Sequence, residues 1–189
     1  MTKLISLHSL FSYVQIAWEE LQNLREEFAN YNNGDIPLSE KNLVLAEKAC
    51  RDFLFHYMTY CDMLDAFVKT SFGRGSKMAV SVEDKLKKMK RIPEVSLIHS
   101  FRNCVTHKAC LLSFVRNKQG AVEFLADAAA LQKQYKQWET RDLRLMKSYG
   151  NLFDVVVPFE KAYNELFNFH CLLSVKYIND NKLGNDIHC

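Results

Sequence analysis

Apolar positions along most of the chain recur at spacings of three and four. Leu7, Phe11, Val14, Trp18, Leu21 and Phe28 fall on one side of a helical wheel, with Glu19, Glu20, Arg25 and Glu26 between them. The spacing predicts an amphipathic helix of about seven turns, stopped at Asn32-Asn33-Gly34. Ser39 is suited to cap a second long helix. Its stripe is Leu43, Ala46, Cys50, Phe53, Tyr57, Tyr60, Leu64 and Phe67, and Gly73-Arg74-Gly75-Ser76 ends it. A third helix runs from Pro93, whose missing N–H costs nothing in a first turn, to about His107.

The pattern then changes. The apolar runs Cys110–Val115 and Ala121–Leu125 flank Asn117-Lys118-Gln119-Gly120, which predicts a small β-hairpin. Ala128, Leu131, Tyr135, Trp138, Leu145 and Met146 return to helical spacing as a fourth helix closed by Gly150. A last helix covers roughly 151–179, with Pro158 marking either a kink or its true start. The polar residues after Asn179 are expected to fray. No repeat or linker interrupts the chain. The expectation is one domain, residues 1–189, of all-α class: a bundle of about five helices with a small β-hairpin insertion near 110–125.

Composition agrees with this reading. Six glycines and three prolines in 189 residues are too few for the turns of a β-sandwich. The six cysteines include no Cys-x-x-Cys pair and lie mostly within apolar runs, where a free thiol behaves as a small hydrophobe. They imply a reducing, cytoplasmic setting. The apolar residues near the N-terminus are interrupted by His8, Ser9, Ser12 and Gln15, and no window reaches the roughly 20 apolar residues of a spanning helix. Neither export nor membrane insertion is expected. A formal charge of +3 permits an acidic partner without demanding one.

Walker, Gly-x-Gly-x-x-Gly, His-Glu-x-x-His and Gly-x-Ser-x-Gly motifs are absent. No two histidines stand at i, i+3 or i+4, so neither a metal site nor a cofactor is expected. The third helix carries the chemistry. On a helical wheel, Ser96, Arg102, Asn103, Thr106 and His107 all fall on the same half as His99. Leu97, Ile98, Phe101, Cys104 and Val105 occupy the other half. The apolar half is expected to dock on the bundle while the other presents arginine, asparagine and two histidines with almost nothing acidic beside them. A guanidinium suits a phosphate, and an imidazole suits proton transfer near neutrality. The bland alternative is an ordinary solvated helix face.

Phe101-Arg102-Asn103-Cys104-Val105-Thr106-His107 resembles the Arg-polar-x-x-x-His signature of the HEPN superfamily, small helical bundles that include many metal-independent endoribonucleases. The resemblance implies that Arg102 and His107 are catalytic and Asn103 supports them; His99 and Thr106, on the same face, are candidate supporting residues, with simple adjacency the favoured alternative for His99. It also implies RNA as substrate, a homodimer with facing motif helices, and a role as a toxin or phage-defence effector with an antitoxin or regulatory protein partner. The other outcomes are a non-catalytic nucleotide- or partner-binding module of the same fold, for instance paired with a nucleotidyltransferase, and a helical interaction protein without a site. Arg51-Asp52-Phe53-Leu54-Phe55-His56 matches the same pattern, but Phe55 projects between its polar ends. Ahead of the motif helix, Lys85, Lys87, Lys88, Lys90 and Arg91 form a basic cluster, either a solvated face or a guide for the RNA backbone.

Overall fold

The computed structural model describes residues 2–30, 39–107, 110–118 and 120–185. The expected stop at Asn32-Asn33-Gly34 lies outside them. Within them, seven helices and three strands follow in the order α1 (Thr2–Ala29), α2 (Glu40–Phe72), α3 (Lys77–Met89), α4 (Pro93–Thr106), β1 (Phe114–Lys118), β2 (Ala121–Asp127), α5 (Ala128–Gln134), α6 (Thr140–Tyr149), β3 (Leu152–Asp154) and α7 (Val156–Asn185). The fold is mostly helical, but with a three-stranded antiparallel sheet and more helices than five.

Local chemistry accounts for the long helices. The Ser39 hydroxyl accepts from the N–H of Asn42 at the start of α2, and Gly73 ends that helix at φ 85°, a conformation that favours glycine. The Ser76 hydroxyl accepts from the N–H of Ala79 and so starts α3. This helix is an addition to the expected set, formed by the segment read only as a basic cluster. Pro158 proves to lie in the first turn of α7, which therefore begins there without a kink. The Asp154 carboxylate accepts from the N–H of Val156 at that start. At its other end α7 runs past Asn179 to Asn185, since the polar tail meets no glycine or proline before Gly184.

The expected fourth helix is two. Residues between Gln134 and Thr140 leave the helical path, and Tyr135 is extended at φ −124° and ψ 127°. Tyr135, buried, and Trp138, half-buried against the core, meet edge-on at 5.3 Å. Trp138 also meets Phe101 at 5.9 Å, and its indole N–H donates to the Leu131 carbonyl. Packing two aromatic rings against the core outweighs the helix propensity of five residues.

The expected hairpin is β1–β2, in register from Phe114 opposite Leu125 to Lys118 opposite Ala121. Sequence reading missed β3, which pairs with the far end of β2. The sheet is fastened to α1: Arg25 donates to the Val122 carbonyl and pairs with Asp154 at 2.9 Å. The buried Asn117 side chain donates to the carbonyls of Phe28 and Ala29, groups a helix C-terminus leaves unpaired. Apolar side chains from all these elements join one core cluster. Its centre is α4, packed against α2, α6 and α7.

Candidate active site

The fully exposed polar side chains of α4 lie in its last turn, while Glu94 and His99 nearer its start are half-buried. Asn103, Thr106 and His107 are exposed and Arg102 is half-buried, while Phe101, Cys104 and Val105 are buried beneath them. The Arg102 guanidinium donates to the Asn103 side-chain oxygen at 3.4 Å, and the Thr106 hydroxyl donates to the Arg102 carbonyl at 2.7 Å. His107 caps the helix, and its N–H shares the Asn103 and Cys104 carbonyls. Its ring stacks on Tyr135 at 5.7 Å with planes 23° apart. Arg25, Arg51 and Arg116 each pair with a carboxylate; among the described residues none pairs with Arg102. Its charge is therefore available to an anion from solvent.

This turn is anchored from below. Phe101 is fully buried among Trp138, Phe153 and Phe159. The Glu47 carboxylate accepts from the N–H groups of Leu111 and Leu112, and so fixes the chain just after the motif. Arg51 pairs with Glu47 at 2.8 Å and donates to the Val105 carbonyl. The second Arg-to-His match thus supplies support for the first. Asp52 is paired with Lys48 at 2.6 Å, and His56 stacks on Tyr13 of α1 at 5.7 Å.

The expectation of one continuous polar face on this helix fails in its N-terminal half. Ser96 and Ser100 are buried, and both hydroxyls donate to Asp142 of α6, itself fully buried. Arg141 adds a hydrogen bond to Ser96. A wheel drawn for one helix does not show that a neighbour brings its own carboxylate to that face.

His99 is separated from the exposed turn in surroundings though not in charge. It is half-buried at a cleft of about 300 Å³ between α2, α3 and α4, whose lining includes Cys61, Asp62, Leu86, Lys87 and Lys90. Burial holds its imidazole below the ordinary histidine range. Lys90 and Arg102 push it the same way, and Asp62 opposes them. The cleft carries both signs of charge, with Asp62, Asp65 and Glu83 beside Lys69, Lys87 and Lys90.

The basic cluster does not act as one surface. Lys87 and Lys90 face this cleft, Lys87 paired with Glu83 at 2.8 Å. Lys85 and Lys88 lie on the opposite side of α3, facing α7. The main chain of Arg91 accepts from Arg141.

Sequence reading missed Tyr135, placed in a helix stripe, and Asp142. Among the described residues no three histidine, cysteine or acidic side chains gather as a metal site would need, and no helix is long and apolar enough to cross a membrane. Cys50, Cys61, Cys104, Cys110 and Cys171 are free thiols. No protein-family model, curated protein or solved structure matches the chain. The likeness to the HEPN superfamily rests on the motif residues.

Proposed function

We propose that the chain is a metal-independent endoribonuclease of HEPN type, with Arg102 and His107 as its catalytic pair. The observation that carries this reading is the end of α4, where an arginine without a carboxylate partner among the described residues and an exposed histidine stand above a buried apolar face. In this reaction the RNA 2′-oxygen attacks the neighbouring phosphorus and the P–O5′ bond breaks. The 2′-hydroxyl loses its proton and the 5′-oxygen gains one, which leaves a 2′,3′-cyclic phosphate and a 5′-hydroxyl. His107 exchanges these protons. Arg102 offsets the charge that gathers on the phosphoryl oxygens, and Asn103 holds the guanidinium that contacts it. Thr106 ties its hydroxyl to the Arg102 carbonyl and stiffens the turn. Tyr135 limits the tilt of the His107 ring.

Lys90 and Arg102, the two cations that act on His99, contact the RNA backbone, while Lys85 and Lys88 lie on the side of α3 that faces α7. Two copies acting as a homodimer would set one exposed α4 turn against the other and enclose the cleaved strand. The setting that follows from the resemblance is a cytoplasmic toxin or defence effector held in check by a partner protein. The chemical test is end-group analysis of RNA cut by the purified protein. The mechanism requires 5′-hydroxyl ends that polynucleotide kinase labels without prior phosphatase treatment. Products bearing 5′-phosphates contradict it.

A further inference from the structure

The two lysines that face away from the motif border a groove of about 360 Å³ between α3 and α7. Its floor is apolar: Met78 and Val82 from α3, Phe169 and Leu173 from α7, all buried. On the α7 lip Leu172 is 63% exposed. The rim is cationic. Lys85, Lys88 and Lys176 line it against a single carboxylate, Asp84. Lys176 donates to the Ser81 hydroxyl at 3.2 Å. Lys85 and Lys88 are exposed and, among the described residues, have no carboxylate partner, whereas Lys48, Lys69 and Lys87 elsewhere do.

We infer that this groove docks an amphipathic helix of a partner protein, its apolar stripe on Leu172 and the floor and its flanks carrying aspartate or glutamate toward Lys85, Lys88 and Lys176. Three observations select this occupant. The lip exposes Leu172 above an apolar floor, and its burial is favourable at roughly 25 cal/mol per Å², so the site rewards an apolar stripe. The surrounding charge is positive by three to one, which steers an acidic flank and repels a second copy of the same groove. The aromatic ring lining the groove, Phe169, is buried in the floor, so among the described lining residues no exposed ring is offered to an RNA base for stacking. Helix α3 has 13 residues, about 20 Å of length, which matches three to four turns of a docked helix read at i, i+3, i+4 and i+7.

The inference is independent of the ribonuclease reading and is tested without RNA cleavage. A fluorescein-labelled 18-residue peptide, with leucines at helical i, i+3, i+4 and i+7 positions and glutamates on both flanks, is titrated with the full chain while anisotropy is followed. A peptide of the same composition with its apolar stripe scrambled, one with lysines in place of the glutamates, and a labelled oligouridylate serve as comparisons. The expected result is saturable binding of the first peptide alone. That binding weakens about tenfold in K85E/K88E, falls severalfold in Leu172→Ala, and is diminished by added salt. All three positions are exposed, and circular dichroism confirms that the variants remain folded. Equal binding of the scrambled peptide overturns the inference, as does indifference to K85E/K88E. Binding of the oligouridylate instead, lost in K85E/K88E, assigns the groove to nucleic acid. Self-association of the chain that Leu172→Ala abolishes assigns it to a second copy. Either outcome also overturns the docked helix.

Discussion

His107, exposed and stacked on Tyr135, and His170 differ in what already holds them. His170 is buried between Tyr60, whose hydroxyl lies 2.7 Å from Nδ1, and His8, whose Nδ1 lies 3.0 Å from Nε2, with Phe11 stacked on its ring at 4.2 Å. Its job is structural, and it has a pH signature. Burial, then the neighbouring His8, lowers its pKa from 6.5 to about 4. The unfolded chain therefore takes up this proton at a higher pH than the folded one does. The stabilisation is complete above about pH 6.5 and drains away as the pH falls toward 4. After allowance for screening by solvent at exposed His8, it is on the order of 2 kcal/mol. Urea unfolding at pH 7 and pH 4.5 measures it, and a midpoint unchanged between the two would rule this assignment out. At the candidate site the expectations concern rate. His107→Ala is predicted to lower kcat about 100- to 10,000-fold. Arg102→Lys should recover little of what Arg102→Ala loses, because an ammonium does not reproduce the guanidinium fork. Both variants should unfold at the wild-type urea concentration, since neither side chain belongs to the core.

At the scale of elements, α4 is held at three places: Asp142 of α6 under its first half, Phe101 in the aromatic cluster, and Glu47 of α2 beyond its end. Asp142→Ala strands two buried serine hydroxyls and is predicted to cost about 2–4 kcal/mol in urea unfolding. Phe101→Ala is predicted to cost about 3–5 kcal/mol by the same measurement. What could be read in the sequence follows from which interactions are local. Ser39, Gly73 and the apolar stripes of α1 and α2 act within a few residues, and those elements were legible. Tyr135 and Trp138 keep helical spacing while packing their rings on the core from an extended segment, so periodicity ran α5 and α6 together. The three residues of β3 have meaning only beside β2. Within the site, the closeness of Arg102, Asn103, Thr106 and His107 was legible because one helix carries them all. Tyr135 on the His107 ring and Asp142 beneath Ser96 were not, because each arrives from a distant part of the chain. The division of the basic cluster into Lys87 with Lys90 and Lys85 with Lys88 follows from helical geometry, once residues 77–89 are known to be a helix.

At the scale of the whole molecule, the structure separates two faces. The end of α4 meets RNA in the proposed reaction; the groove between α3 and α7 takes the proposed partner helix. Separate faces allow a partner to be bound while RNA is cut, and they make the two proposals separable by mutation. K85E/K88E should leave RNA cleavage within about twofold of wild type, since exposed charges away from the end of α4 contribute little. The ribonuclease reading stands or falls with the catalytic pair on α4. The decisive experiment is cleavage of end-labelled total RNA in EDTA by wild type, Arg102→Ala, His107→Ala and His56→Ala proteins matched for folding. Wild type and His56→Ala should cut, and the other two should not. Cutting that survives both Arg102→Ala and His107→Ala, or is lost only in His56→Ala, contradicts the assignment.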